Sequence, residues 1–421
     1  MKGCDCLKRI LVLSNACFSK SDSNGRTLAE LFSSLDRKFI AQFFVYGMPD
    51  FTICDNYYNV SDFDALRSLI KNKTYGEKIN YESLNEGIGL ANKKNKRKKT
   101  PLNKLLRELV WKYGKWDGDE LKKWIDKFKP ELIFLFLGDS IFLNRLAMEI
   151  SEKYQIPIIV YSTENYYFKK YNYISRNFSI FYKVFYCFLK HSYKKLENYV
   201  RIAYLNTPLL AELYQSEFKF PCNYIFSPSK IDFVDNTKFN QENIVVSYLG
   251  NLGLGRHKAL IELSEKLNNI YPNLKLDVYG NCPNDLIKLE LNSCKYIRYL
   301  GFVSYSEVIK IMHTSALLIH VEDSTDYNNN DLKYAFSTKI ADSICSGTPL
   351  LLYANKNLAE TDFLSKHQCA FIATSKEELN NALNKVFDYE ERKKVIDNAK
   401  KIKKLYFSNF NQIIDIIRGV I

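Results

Sequence analysis

Short, wholly apolar runs alternate along this chain with longer segments whose apolar residues recur at three- and four-residue intervals. Ile10–Leu13, Gln42–Tyr46, Leu132–Leu137 and Ile156–Tyr161 read as buried strands of the first half. Leu28, Leu31, Phe32 and Leu35 share one helical face, Asp62–Lys71 reads as a second helix, and Leu121, Trp124, Ile125 and Phe128 form a third face closed by Pro130. The second half restarts the alternation with strand Ile244–Leu249, helix Ala259–Ile270 and strands Leu274–Tyr279 and Ile297–Leu300. Ser304 with Glu307 opens a helix as a capping box, and strand Ala316–Val321, helix Lys339–Ser346 and strands Pro349–Tyr353 and Ala370–Ala373 follow. Ser375 with Glu378 is a second capping box. Strands that are apolar throughout belong to parallel sheets covered on both faces. The fold class expected is therefore α/β, with two doubly wound Rossmann-like domains facing a cleft. Boundaries fall at 1–226 for the first domain and 244–400 for the second. Ser227 to Asn243 is polar and lacks periodicity, so 227–243 reads as a linker. The last segment, 401–421, ends in a helix that could pack back on the first domain.

At 421 residues the chain exceeds one ordinary core, which agrees with two domains. Sixty Lys and Arg against 47 Asp and Glu leave a net charge of +13, which calls for an acidic partner: nucleic acid, anionic lipid or a phosphorylated substrate. No zinc, helix-turn-helix or single-strand-binding pattern supports nucleic acid. The Cys residues are scattered, and the close pair Cys4 and Cys6 has no matching His or Cys cluster, so reduced thiols of a cytoplasmic protein are expected. No apolar run approaches the ~18 residues of a membrane span, and the N-terminus reads as a first strand rather than a signal peptide.

Candidate chemistry gathers at the strand ends of the second half. The strand in SYLGNLGLGRHK opens into a glycine-rich loop ending in Arg256 and Lys258. In AFSTKIADSICSGTPLLLY, Ser337, Thr338 and Lys339 lead a short helix that carries Asp342 and stops at Gly347. Helix-start N–H groups and fixed cations suit a diphosphate, and a carboxylate suits sugar hydroxyls. Fixed cations at a departing diphosphate stabilise the transition state more than the ground state. The bland alternatives are a solvated cation pair, an ordinary Ser/Thr cap and a solvent-facing helix charge. On the first-half side, Gly25, Arg26 and Thr27 begin a helix and could hold an anionic group. Asp139 and Glu164 end adjacent strands, where they could bind or deprotonate an acceptor hydroxyl. Phe178, Phe181, Tyr182, Phe185 and Phe188 recur at helical spacing among lysines, as in a helix lying on an anionic membrane or in a core helix with snorkelling lysines. The run KKNKRKK adds charge.

In the order VSYLGNLGLGRHKAL, LKLDVYGN, YIRYLGFVSYSEVIKIMHTSALLI and FSTKIADSICSGTPLLLY, the second half resembles the donor domain of GT-B glycosyltransferases. It is nearest to the family-4-like, group 1 enzymes, which retain anomeric configuration. The resemblance spans roughly Ile244 to Ala373. It implies that Gly250, Asn251 and Gly253 with Arg256 and Lys258 bind the donor diphosphate, that Gly280 follows the next strand, and that Phe302 and Val303 line the base pocket. It places Ser337, Thr338 and Lys339 at the phosphates and Asp342 at the ribose. The group's other carboxylate falls here on Tyr334, and Glu322 at the end of the preceding strand could replace it.

The function implied is transfer of a sugar from a nucleotide-diphosphate sugar to a glycan or lipid-linked acceptor, in surface polysaccharide or glycolipid synthesis. No cofactor and no metal are expected, since no DxD triplet stands at a strand end. The expected location is cytoplasmic, with possible peripheral attachment to the inner membrane face. A nucleotide-sugar epimerase or hydrolase of the same fold is the alternative. It needs acid and base groups at the sugar ring, against which the poverty of His counts.

Overall fold

The computed structural model describes residues 8–20, 23–81, 100–169, 179–322 and 332–419. The KKNKRKK run, Phe178, Cys4, Cys6 and most of the excursion from Glu322 to Lys333 lie outside them. The chain divides into two compact units, residues 1–225 with 410–421, and residues 226–409.

The first unit holds an eight-stranded sheet in the order β4-β3-β2-β1-β5-β6-β7-β8. Its strands are β1 (Ile10–Leu13), β2 (Ile40–Phe44), β3 (Asn56–Asn59), β4 (Glu77–Ile79), β5 (Leu132–Phe136), β6 (Ile158–Ser162), β7 (Val200–Leu205) and β8 (Cys222–Tyr224). All neighbours pair in parallel except β3 with β4. Seven helices cross over them: α1 (Ser23–Phe32), α2 (Asp62–Lys71), α3 (Pro101–Tyr113), α4 (Asp119–Phe128), α5 (Ile141–Tyr154), α6 (Ile180–Leu196) and α7 (Pro208–Gln215). The second strand starts and ends two residues earlier than its apolar run, because Val45 and Tyr46 bond the Asn15 carbonyl instead. The sequence reading passed over α3, although Thr100 caps it through its hydroxyl and Pro101 occupies its first turn. The C-terminal helix, Gln412–Gly419, belongs to this unit; Ile413, Ile416 and Ile417 join Leu28, Phe32 and Phe134 in one core.

The second unit is an all-parallel sheet in the order β11-β10-β9-β12-β13-β14. Its strands are β9 (Val246–Leu249), β10 (Leu276–Tyr279), β11 (Ile297–Gly301), β12 (Leu317–Val321), β13 (Leu350–Tyr353) and β14 (Phe371–Ala373). The helices are α8 (Arg256–Ile270), α9 (Asp285–Ser293), α10 (Tyr305–Thr314), α11 (Thr338–Ser346), α12 (Ala359–His367), α13 (Lys376–Leu383) and α14 (Tyr389–Ile402). Successive strand residues feed opposite cores: Leu317, Ile319 and Val321 enter one, and Leu318, Leu350 and Leu352 the other. Both faces of β9, β12 and β13 are buried, which is why they are apolar without alternation, whereas the edge strand β11 alternates and exposes Leu300.

The stretch 227–243 corrects the linker expectation, since it is packed into the second unit. Val234 N donates to Ser346 O, and Asn236 Nδ2 donates to Thr348 Oγ1 at 2.6 Å. The fully buried Arg392 donates to the carbonyls of Asn236, Thr237, Ala316 and Val386. Its lack of apolar periodicity reflects backbone satisfaction by partners far along the chain, not solvation.

Candidate functional site

In the second unit the sheet order decides which side chains meet. Strand β12 lies between β9 and β13, so the residues that follow these three strands converge at their carboxyl ends. Arg256, the first residue of α8, forms a fork with Glu322, just past β12: Nε to Oε2 at 2.8 Å and an Nη to Oε1 at 2.7 Å. Both side chains are largely buried, at 14% and 3% exposure. Arg256 thus sits at the start of a helix and not in the glycine-rich loop before it, and the Glu322 carboxylate proposed as a replacement is engaged by its guanidinium. His320 sits two residues before Glu322 on the same strand face, its Nε2 3.3 Å from Glu322 Oε1 and 3.7 Å from Glu360 Oε1. Glu360 is the second residue of α12 and is buried.

The charges of this cluster follow from burial. Burial opposes ionisation of Glu322, but His320 and Arg256 overcome it and hold its carboxyl below the ordinary range. Burial pushes Glu360 well above that range, and the Glu322 charge adds to the effect. Burial also lowers His320, with Arg256 and Lys339 adding to the effect against Glu322. Burial and the neighbouring charges thus push the two carboxyls in opposite directions, Glu322 toward its charged form and Glu360 toward its neutral one. Glu360 Oε1 has no hydrogen-bond partner. His320, Glu322 and Glu360 are the group among the described residues that could hold a metal ion, with ligand atoms within 4.8 Å of one another. A dication there would have to sit beside the Arg256 guanidinium, which already takes both Glu322 oxygens.

Around this cluster lie the remaining donor-side candidates. Lys258 is exposed in the first turn of α8, whose N-cap is Gly255. Gly253 N donates to the exposed Asn251 through its Oδ1 at 2.8 Å. Gly280 has φ +149°, and a Cβ there would fall inside the envelope of the Gly250 carbonyl oxygen, so the β9 and β10 ends touch backbone to backbone. Phe302 is exposed and Val303 half-buried after β11. Ser337 caps α11, its Oγ accepting from Lys339 N, and its own N–H bonds the Glu360 carboxyl. Thr338 and Lys339 form the first turn, partly exposed. Asp342 corrects the expectation: it is buried and accepts from Ser229 Oγ at 2.7 Å, so it ties down the 227–243 stretch and does not face a ribose.

The first unit carries a second polar cluster, at the ends of β1 and β5. Arg107 of α3 donates to Asp62 Oδ1 at 2.7 Å, Ser140 Oγ at 2.9 Å and Asn15 Oδ1 at 3.0 Å. Lys104 pairs with Asp139. Burial opposes the Asp139 charge, but Lys104 and Arg107 hold its carboxyl below the usual range, which makes it a weak base. Glu164 is exposed past β6 and does not join the cluster. Gly25, Arg26 and Thr27 are the third to fifth residues of α1: Gly25 packs on the Cys17 carbonyl, Thr27 is buried, and Arg26 lies 3.8 Å from Glu30. They lie in the first turn and a half of the helix, Gly25 and Thr27 buried and Arg26 partly exposed.

Glu108, also on α3, is buried and accepts from Phe142 N. Burial pushes its carboxyl up to about 7 from an ordinary 4.5, with Arg107 partly opposing. Between these values the folded state holds a proton that the unfolded state has released, so stability should fall as pH rises through this window. Glu108→Gln is expected to flatten that slope in urea unfolding compared at about pH 5 and about pH 8. An unchanged slope would assign the proton elsewhere.

The sequence reading missed His320, Glu360, Lys104, Arg107 and Glu108. His320 alone had a local signal, a lone imidazole in an apolar strand two residues from a carboxylate. The rest depended on knowing which strands and helices are neighbours.

Two parallel sheets wrapped by helices, the second with a glycine-lined loop and two helix starts at its strand ends, define the GT-B class of sugar-nucleotide enzymes. Residues 229–402, within the second unit, match the family model of glycosyl transferases group 1. Among solved structures, the chain is similar to Anabaena Alr3699/HepE in complex with UDP-glucose (12% identity, 98% of this chain and 100% of that one, TM-score 0.61). It is also similar to a glycosyltransferase from Rickettsia africae ESF-5 (11%, 98% and 98%, TM-score 0.58). A putative UDP-N-acetylglucosamine 2-epimerase from Listeria monocytogenes is similar as well (12%, 98% and 96%, TM-score 0.54). At these identities the likeness establishes the fold. No curated protein gave a significant match.

Proposed function

We propose that the protein takes a nucleotide-diphosphate sugar in its second unit and transfers the sugar, with retention, to a glycan or lipid-linked acceptor held by its first unit. The observation that carries this reading is the convergence of two helix starts, α8 and α11, with Arg256, Lys258 and Lys339 at the β9, β12 and β13 ends. The positive ends of the two helix dipoles and the cations there would stabilise the charge that grows on the diphosphate as the glycosidic bond breaks. Donor binding would draw Arg256 from Glu322 or share it, and Gly250, Asn251 and Gly253 let the phosphates approach the backbone. Phe302 and Val303 would flank the base. The UDP-glucose of the Anabaena structure makes a uridine nucleotide the first donor to try.

A departing phosphate oxygen that accepts the acceptor's proton would make a protein base unnecessary. Asp139, held ionised by Lys104, is suited to orient an acceptor hydroxyl rather than deprotonate it. The reading requires no metal. Calorimetry of UDP in excess chelator should therefore give the same affinity as without chelator, and loss of binding would move the phosphate site onto an ion.

The cluster of His320, Glu322 and Glu360 favours a second reading. It supplies the acid and base groups that a nucleotide-sugar epimerase needs, and the Listeria structure has this fold. The match to a glycosyltransferase family and the Arg256 fork weigh against it. Proton NMR of UDP-N-acetylglucosamine incubated with the protein and no acceptor separates the two, since only an epimerase yields a new sugar isomer.

A further inference from the structure

We infer that α3 and α6 form a docking face for an anionic lipid bilayer, independent of the donor-site reading. The two helices pack side by side in the first unit. Helix α6 buries Tyr182, Phe185 and Leu189, so the membrane role expected for Phe185 is corrected; it is core. A stripe flanking that buried face is solvent-exposed: Phe181 at 44%, Val184 at 39% and Phe188 at 53%. Helix α3 does the same, with Leu102, Leu106 and Tyr113 lying i, i+4 and i+11 on one face, Leu106 at 48% and Tyr113 at 61%. Two adjacent helices that each turn an apolar stripe to solvent are more than the scattered single apolar residues of an ordinary surface.

The charges around these stripes choose the occupant. Helix α6 contains no Asp or Glu; Lys183 and Lys195 are exposed on it, Lys190 lies over the Tyr167 ring, and Lys194 pairs with Glu197 and Glu217. The one acid on α3, Glu108, is buried, whereas Lys112 is exposed. Apolar stripes bordered by cations, with no exposed carboxylate on either helix, match the interface of an anionic bilayer, where rings and aliphatic chains enter the acyl boundary and ammonium groups meet phosphates. A protein partner would more commonly face an interface depleted of lysine.

Flotation of the full chain with phosphatidylglycerol-containing vesicles, against pure phosphatidylcholine vesicles, tests the proposal. Binding is expected to the anionic vesicles and to persist in part at high salt, because apolar insertion is not screened. The double variant Leu106→Ser/Phe188→Ser should lower partitioning about tenfold or more while its melting temperature stays at the wild-type value. Both positions are exposed and lie outside the donor cluster, so folding and nucleotide binding should be retained. Any of four results overturns the proposal. These are no binding at low salt, equal binding by the double variant (which would assign attachment to the basic run at 93–99), complete release by salt, or a wild-type dimer in sedimentation velocity that the double variant abolishes.

Discussion

Arg256→Ala is expected to lower turnover by about two to three orders of magnitude, the usual loss when a preorganised group facing transition-state charge is removed. The same substitution should destabilise the protein by roughly 3–5 kcal/mol, because it leaves the Glu322 carboxylate buried without its cation. The two effects separate by comparison. Lys258→Ala removes an exposed cation in the same helix turn, so turnover should drop by a similar order while stability stays within about 0.5 kcal/mol. The stability loss in Arg256→Ala should also depend on pH. In the native protein Glu322 titrates below its ordinary value, so its pairing stabilises the fold above that ordinary value and is lost as pH falls through the folded one. Without Arg256 the buried carboxyl loses part of what favours its charged form, so the gap between the two proteins widens as pH rises through the range in which Glu322 ionises. Denaturant unfolding across pH, beside single-turnover assays with a nucleotide sugar, provides both readings. A variant that keeps wild-type turnover would remove Arg256 from the donor site, whatever its stability.

Gly280→Ala should cost about 3 kcal/mol or more and abolish nucleotide binding. Its backbone sits at φ +149°, and the new Cβ would overlap the carbonyl oxygen of Gly250. Neither residue can yield easily. Gly280 N donates to Gly301 O at 2.8 Å, Gly250 N donates to Tyr279 O at 3.0 Å, and Tyr299 Oη donates to Gly280 O at 2.8 Å. Relief would push the β9 loop outward and carry the start of α8 with it. Gly138→Ala is the control, since its nearest contact would be a Tyr166 ring carbon at 3.8 Å and its φ is ordinary. Melting temperatures and calorimetry with UDP would check the pair. Near-native stability for Gly280→Ala would mean that the β9–β10 backbone contact yields to a Cβ.

Much of the fold was legible because its determinants are local. Apolar runs without alternation marked β1, β5, β6, β9, β12 and β13 as strands of parallel sheets covered on both faces. Capping chemistry at Ser304 and Ser375 marked two helices, and Gly347, in the left-handed region at φ +79°, stops α11 where its glycine implied. The loop Gly250–Lys258 and the turn Ser337–Lys339 were recognisable for the same reason. A phosphate-facing loop needs glycines and cations within a few consecutive positions.

What each polar group touches was not legible. Sequence alone determined two αβ series, their strands, and a glycine-and-cation loop at the head of the second. Only the tertiary structure decided that Arg256 pairs with Glu322, that Asp342 turns inward to Ser229, that Glu360 is buried beside His320, and that α3 and α6 expose apolar stripes together. The physical reason is range. Strand and helix signals come from neighbours three or four positions away, whereas an ion pair depends on sheet order. The order β9-β12-β13 places Arg256 beside Glu322, 66 positions on, and Glu360 beside His320 of the neighbouring strand. Burial then sets their charge, and no local pattern carries that information.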